Sequence, residues 1–145
     1  MKAKQLEQLL HKEIPISQAM GIEVDHLDKN TISVRAPFEK NKNIHNTAFA
    51  GSIYTTATLA GWSLLTHYLQ ANNIDGAVVL AKANIKYLRP INQDIIAYCD
   101  LSNSETLTDL KGHIEIKKRA KIELNITVKE QALVKAKMNA FFAIV

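Results

Sequence analysis

One cysteine, Cys99, in 145 residues excludes an internal disulfide and a Cys-based zinc cluster, and it suits a reducing compartment. Three prolines and five glycines are too few for a linker-rich or disordered chain. No run is long enough to cross a bilayer. The most apolar stretch, ATLAGWSLL at 57–65, falls well short of the ~20 residues a spanning helix needs. The N-terminus lacks the basic start, apolar run and small-residue cleavage site of a signal peptide, so a cytoplasmic location is expected. There is no P-loop, no dinucleotide glycine fingerprint and no dense His/Asp cluster. Neither a metal nor a cofactor is expected. The most telling absence is local: from Lys40 to Ile74 there is no Asp and no Glu.

What is present fits one domain over residues 1–145, with 47% hydrophobic residues and a net charge of +4. The mild basicity is that of a lysine-rich solvated surface, or of a chain with an acidic partner such as a phosphate-bearing molecule, an acidic carrier protein or nucleic acid. Leu6, Leu9 and Leu10 predict an amphipathic first helix over 2–13, interrupted at Pro15. IEVDHLD and TISVRA, joined by Asp28-Lys29-Asn30, read as a hairpin. A polar loop over 37–46 leads to a long helix from about Thr47 or Phe49 to Leu69, apolar on nearly every face and so buried on most sides. Four strand-like runs follow. In AVVLAKANIKYL, Val79, Ala81, Ala83, Ile85 and Tyr87 alternate with Lys82, Asn84 and Lys86. DIIAYCDL is next, then an ambiguous 105–116 (a short helix or an irregular crossing), then AKIELNITV, a turn at 129–132 and LVKAKMNAFFAIV. Short links make most pairing antiparallel. The fold class is α+β, an antiparallel sheet that buries one face by wrapping a helix.

This arrangement resembles the hotdog fold, a curled antiparallel sheet around a long central helix. Two segments carry the likeness. IKYLRPINQDIIAYCDL resembles the strand pair after the hotdog helix, where an aromatic-Leu-Arg-Pro run ends one strand and an acidic residue opens the next. NIHNTAFAGSIYTTATLAGW resembles the helix entry, which ordinary hotdog thioesterases write as Asn-x-x-Gly, His-Gly-Gly and a helix acid. Here Asn46 stands at the glycine, Phe49, Ala50 and Gly51 at His-Gly-Gly, and Thr58 or a neighbour at the acid. N-x-N, T-x-F-x-G-S-x-Y and L-x-G-W together are similar to a distinct hotdog subfamily, called a "putative thioesterase" domain and found alone or behind an acetyltransferase-like domain. Here it is expected to stand alone. The resemblance implies decarboxylation of a malonyl-acyl carrier protein to its acetyl form for fatty-acid synthesis, with Asn43, the second asparagine of N-x-N, in the active site. It also implies a site between subunits of a homodimer or dimer of dimers.

The residues suit that chemistry. Hydrolysis needs an activated water and usually a base. His45 is the one candidate base in the helix entry; an acid from a partner chain, such as Asp94 or Glu39, is the other source. Decarboxylation needs no base. It needs donors for the developing enolate oxygen, which a helix N-terminus supplies. Asn43, Gly51 and Ser52 are the candidate catalytic residues, one such donor being worth about 3–4 kcal/mol. His45, Phe49 and Tyr54 are pocket candidates. Arg89 and the run Lys117, Lys118, Arg119 are candidates for the phosphates of coenzyme A or phosphopantetheine, which the substrate itself carries. Each has a plainer role: a loop turn for Asn43, loop hydrogen bonding for His45, self-capping for the helix hydroxyls, a solvated face for the lysines. Nucleic-acid binding calls for aromatics among the basic residues, and KKRAK has none; no membrane role is expected. Three readings stand: malonyl-thioester decarboxylase, acyl-thioester hydrolase, and a non-catalytic acyl-carrier-binding module.

Overall fold

Antiparallel pairing runs through the whole sheet, in the order β1 (Glu23–Leu27), β2 (Thr31–Ala36), β4 (Ile95–Asp100), β5 (Ala120–Glu130), β6 (Leu133–Ile144) and β3 (Val78–Tyr87). The computed structural model describes residues 1–102, 107 and 110–145. Helices α1 (Ala3–Glu13) and α2 (Pro15–Ala19) precede the hairpin β1 (Glu23–Leu27) and β2 (Thr31–Ala36). A four-residue turn of helix, α3 (Phe38–Asn41), leads to α4 (Ala50–Ala71). Then come β3 (Val78–Tyr87), β4 (Ile95–Asp100), α5 (Leu110–Lys117), β5 (Ala120–Glu130) and β6 (Leu133–Ile144).

The sheet curls around α4, which packs on β2 through β6. Alternation builds the wrapped face. Ile122, Leu124, Ile126 and Val128 of β5 and Ala136, Met138, Ala140, Phe142 and Ile144 of β6 all point inward. Gly61 lets the helix come close. A Cβ there would lie 2.8 Å from the Phe142 ring, so only hydrogen fits. Its neighbour Trp62 donates its indole N–H to the Val78 carbonyl at 2.8 Å, tying the helix to the start of β3. Helix α1 is pinned across the hairpin by buried Glu7, which accepts from Val24 N at 2.9 Å and from Lys4 at 2.6 Å.

Several local expectations change. The long helix starts at Ala50, because the entry loop folds back on itself first. The presumed polar loop holds α3, and Asn41 at its end is 2% exposed. In β3 a bulge between Leu80 and Lys82 breaks the alternation. Val78 and Leu80 therefore turn inward with Ala83 and Ile85, while Val79 and Ala81 turn out and Tyr87 stays 47% exposed. Of the ambiguous 105–116, residues 110–116 begin α5; 105, 106, 108 and 109 lie outside the described residues. The last hairpin turns on Gln131 and Ala132 alone, with Gln131 at φ 57°.

Cys99 is 3% exposed and its thiol is pushed up to about 12 by burial. A thiol held far above neutral pH has almost no nucleophilic thiolate. Dithionitrobenzoate is expected to leave the native protein unlabelled and to react with one thiol per chain in denaturant. Rapid native labelling would mean that β4 opens.

Candidate active site

The site is built by the loop between α3 and α4. Lys42 and Ala48 form a bridge that closes it. Asn43 N donates to Thr47 O at 2.7 Å, and Asn46 N to Asn43 O at 3.1 Å. Asn46 adopts φ 60°. This is the left-handed region that favours glycine and that asparagine tolerates, so Asn46 can stand where the resemblance to ordinary hotdog thioesterases expects glycine. At the base of the loop, Ala48 N binds Ile91 O at 2.8 Å and Phe49 N binds Asn41 O at 2.7 Å. These bonds fix the point where α4 begins.

Asn43 is the centre of the loop. Its Oδ1 accepts from His45 N at 2.8 Å and Thr47 N at 3.2 Å. Its Nδ2 donates to Thr47 Oγ1 at 2.9 Å, with Ala48 O at 3.5 Å. The side chain thus shapes the loop, the role asparagine plays in turns. Asn41 shapes the other flank. Its Nδ2 donates to Met20 O at 2.9 Å and Pro37 O at 2.8 Å, while its Oδ1 is buried without a partner among the described residues.

Helix α4 has no side-chain N-cap. Its first helical bond runs from Ile53 N to Phe49 O at 3.0 Å. The N–H groups of Ala50, Gly51 and Ser52 therefore have no acceptor among the described residues, and the positive end of the helix dipole is added to them. The Phe49 ring lies against Gly51: a Cβ on Gly51 would sit 2.5 Å from Phe49 Cε2. Phe49 is 55% exposed, so its ring forms an open wall of the site. Ser52 and Tyr54 keep hydroxyls with no partner among the described residues, whereas Thr55, Thr56 and Thr58 donate to carbonyls one turn back. Thr58, which with its neighbours stands where the resemblance expects a helix acid, donates to Tyr54 O at 2.9 Å.

Tyr87 joins this site from β3. Its hydroxyl donates to Ala50 O at 3.0 Å. Burial, and after it the nearby Tyr54, push that hydroxyl up, so it stays a neutral donor. The sequence signal for it was the aromatic of the aromatic-Leu-Arg-Pro run, which alternation alone assigned to the core. Arg89 follows two residues later, its backbone N donating to Lys135 O at 3.1 Å, and so lies at the same end of the sheet.

Other candidates fall elsewhere. His45 is exposed in the loop tip. Glu39 is paired with Lys42 at 2.8 Å. Asp94 accepts from Phe38 N at 2.8 Å and Arg35 Nη1 at 3.1 Å, and so holds the corner between β2 and α3. His67 is buried, with burial lowering its pKa, and it lies ~24 Å along α4 from Gly51. Lys117, Lys118 and Arg119 sit before the start of β5, which pairs with the end of β6 and through it with the start of β3. That is the C-terminal end of α4, a helix ~33 Å long. Within one chain the basic run and the α4 N-terminus do not meet. No group of three metal-ligating side chains occurs among the described residues, and none of their helices is long and apolar enough to cross a membrane.

Known proteins share the family and the fold. Residues 3–145 match the family described as "Putative thioesterase (yiiD_Cterm)". A solved protein of unknown function from Chlorobaculum tepidum is 32% identical, covering 99% of this chain and 93% of its own, with a TM-score of 0.91. A putative thioesterase from Shewanella oneidensis is 31% identical, covering 99% and 96%, with a TM-score of 0.88. A "probable thioesterase" from Pseudomonas aeruginosa shares the fold at 21% identity, 99% and 95% coverage and a TM-score of 0.85. Matched from residue 3 to residue 145, the chain belongs to this putative thioesterase family of the hotdog superfamily.

Proposed function

We propose that the protein decarboxylates malonyl thioesters, converting a malonyl-acyl carrier protein to its acetyl form for fatty-acid synthesis. One observation carries this reading. The N-terminus of α4 offers three unengaged N–H groups in a stretch with no carboxylate from Lys40 to Ile74. The thioester oxygen would sit on the N–H groups of Gly51 and Ser52. The bond between the carboxylate carbon and the methylene carbon breaks, its electron pair moves into the enolate, and carbon dioxide leaves. Donors aimed at the enolate oxygen lower that barrier, and water then supplies a proton to the methylene carbon. A carboxylate beside these donors would repel the malonyl group, and the stretch from Lys40 to Ile74 supplies none. Asn43 holds the loop that sets the donors, and Phe49 and Tyr54 wall the acyl group.

The free edge of β3 supports a dimer. Its partner in the sheet, β6, leaves the other side of the strand unpaired, and exposed edges favour pairing with another chain. Phe49, Tyr87 and Leu88, at 55, 47 and 49% exposure, flank that edge at the site. Antiparallel pairing of two β3 strands brings the start of one beside the end of the other. The basic run of each copy then moves toward the α4 N-terminus of its neighbour, where it could meet a substrate phosphate. Sedimentation that finds a folded monomer would count against this arrangement.

The family description favours a second reading, thioester hydrolysis, with His45 as the loop base; a non-catalytic carrier-binding module is the third. Intact mass of a malonyl-carrier protein after incubation separates them. Loss of carbon dioxide alone is the expected result. Loss of the whole malonyl group would make the protein a hydrolase, and an unchanged carrier would leave the binding module.

A further inference from the structure

On the outer face of the sheet, away from α4, residues of three adjacent strands line up in rows. Asn84 of β3, Asn139 of β6 and Asn125 of β5 are register partners. One row nearer the active-site end come Lys86, Lys137 and Thr127. These six residues line a shallow depression of about 410 Å³. Lys86 and Lys137 stand directly opposite each other, and like charges so placed destabilise a strand pair. Neither forms an ion pair with any described residue. Two more cations flank them: Lys82 lies 5.7 Å from the Phe141 ring and Lys129 lies 5.5 Å from the Tyr98 ring. Opposing charge is scarce on these three strands. Glu123 is hydrogen-bonded to Asn139 at 2.7 Å, and Glu130 is paired with Lys135 at 3.0 Å.

We propose that this row of lysines and amides is the docking surface for an acidic acyl-carrier protein, the form in which the thioester arrives. The proposal rests on the thioester reading of the site. Charge complementarity selects the occupant: the facing lysines cost stability in the free protein, and an acidic surface relieves that repulsion while Asn84, Asn125 and Thr127 hydrogen-bond to it, the Asn139 amide being engaged by Glu123 and Asn125. Position supports it as well. Lys86 lies on the outer face one residue from Tyr87, whose hydroxyl touches the first turn of α4 from the inner face, so a docked carrier stands at the end of β3 around which its arm reaches the site. Edge pairing of β3 uses groups in the plane of the sheet. It leaves Lys82, Asn84 and Lys86 facing outward in a dimer.

The test is binding of unacylated, fluorescently labelled carrier protein, read by anisotropy, with turnover measured in parallel. Wild type is expected to bind with an affinity that falls as salt rises. Lys86→Glu/Lys137→Glu should weaken binding tenfold or more, and Lys86→Gln/Lys137→Gln by less. kcat/KM for the malonyl-carrier should drop with the affinity, while that for malonyl-pantetheine, which bears no phosphate or protein, holds. Absent carrier binding by wild type, or affinities within twofold among all three proteins, overturns the docking surface. Failure of wild type on both thioesters overturns the reading of the site instead, and the anisotropy data still judge the surface.

Discussion

Asn43→Ala is expected to lower kcat on a malonyl thioester by about 10²–10³-fold, the cost of losing one oxyanion-hole donor or its placement. The geometry says which of the two is at stake. Both sides of the amide are committed to the loop: Oδ1 to the N–H groups of His45 and Thr47, and Nδ2 to Thr47 Oγ1. The loop in turn sets Ala48 and Phe49 through Ile91 O and Asn41 O, and Phe49 is the last residue before the free N–H groups. Asn43 therefore acts by positioning, and its loss releases the donors from their geometry. The global fold should survive, because the residue is on a half-buried loop outside the core. Asn43→Asp separates the contributions. It keeps both acceptor bonds of Oδ1 but places oxygen against Thr47 Oγ1 and adds a charge that repels a malonyl group. Aspartate should bind its substrate worse than alanine, with a higher KM, while retaining more of the loop's order in hydrogen exchange over 43–48. A loss of activity under tenfold for alanine, with circular dichroism unchanged, would remove Asn43 from the mechanism.

The parts legible in the sequence are those where one physical signal dominates. β5 alternates from Ile122 to Val128 and β6 from Ala136 to Ile144, because one face lies against α4 and the other is the more exposed; the period slips only at a bulge between Val128 and Lys129. The helix was legible for the opposite reason: it is enclosed, so nearly every face is apolar. β3 misled because a bulge between Leu80 and Lys82 shifts the period by one residue, and no local pattern marks where a bulge falls. Asn41 falls in the stretch 37–46 that reads as a polar loop, and polarity in a loop suggests solvent. It is instead a buried bracket between Met20 and Pro37, two contacts distant in sequence or set by a helical turn. The helix entry was legible as a motif, and its free N–H groups follow from the absence of any Ser, Thr, Asp or Asn at the cap position, Phe49. The basic run was legible only as charge. Which end of the sheet it occupies depends on strand order, and that order emerges from pairing over the whole chain.

The largest stability effect should come from Phe142, which is fully buried in β6 and faces Gly61 across the helix–sheet interface. Phe142→Ala is expected to cost about 3–5 kcal/mol, as large-to-small core changes do, a sizeable part of the ~5–15 kcal/mol that holds a typical domain. Gly61→Ala should be unfavourable in the wild-type background, because its Cβ would stand 2.8 Å and 2.9 Å from two ring atoms of Phe142 and 3.3 Å from Ile126 Cδ1. A ring with no exposed surface has nowhere to move. In the Phe142→Ala background the same methyl enters the vacated space, and alanine also favours a helix interior over glycine by about 1 kcal/mol. The second substitution should then be neutral or stabilising, so urea melts of the four proteins should show a coupling that reverses the sign of Gly61→Ala. Additive changes would mean that the helix does not rest on Phe142. The cycle bears on chemistry too. α4 is held to the sheet by this contact near its middle and by Tyr87 on Ala50 at its start, so a helix that rises from Phe142 should also displace the donors of its first turn, and Gly61→Ala should lower kcat more than its modest stability loss accounts for.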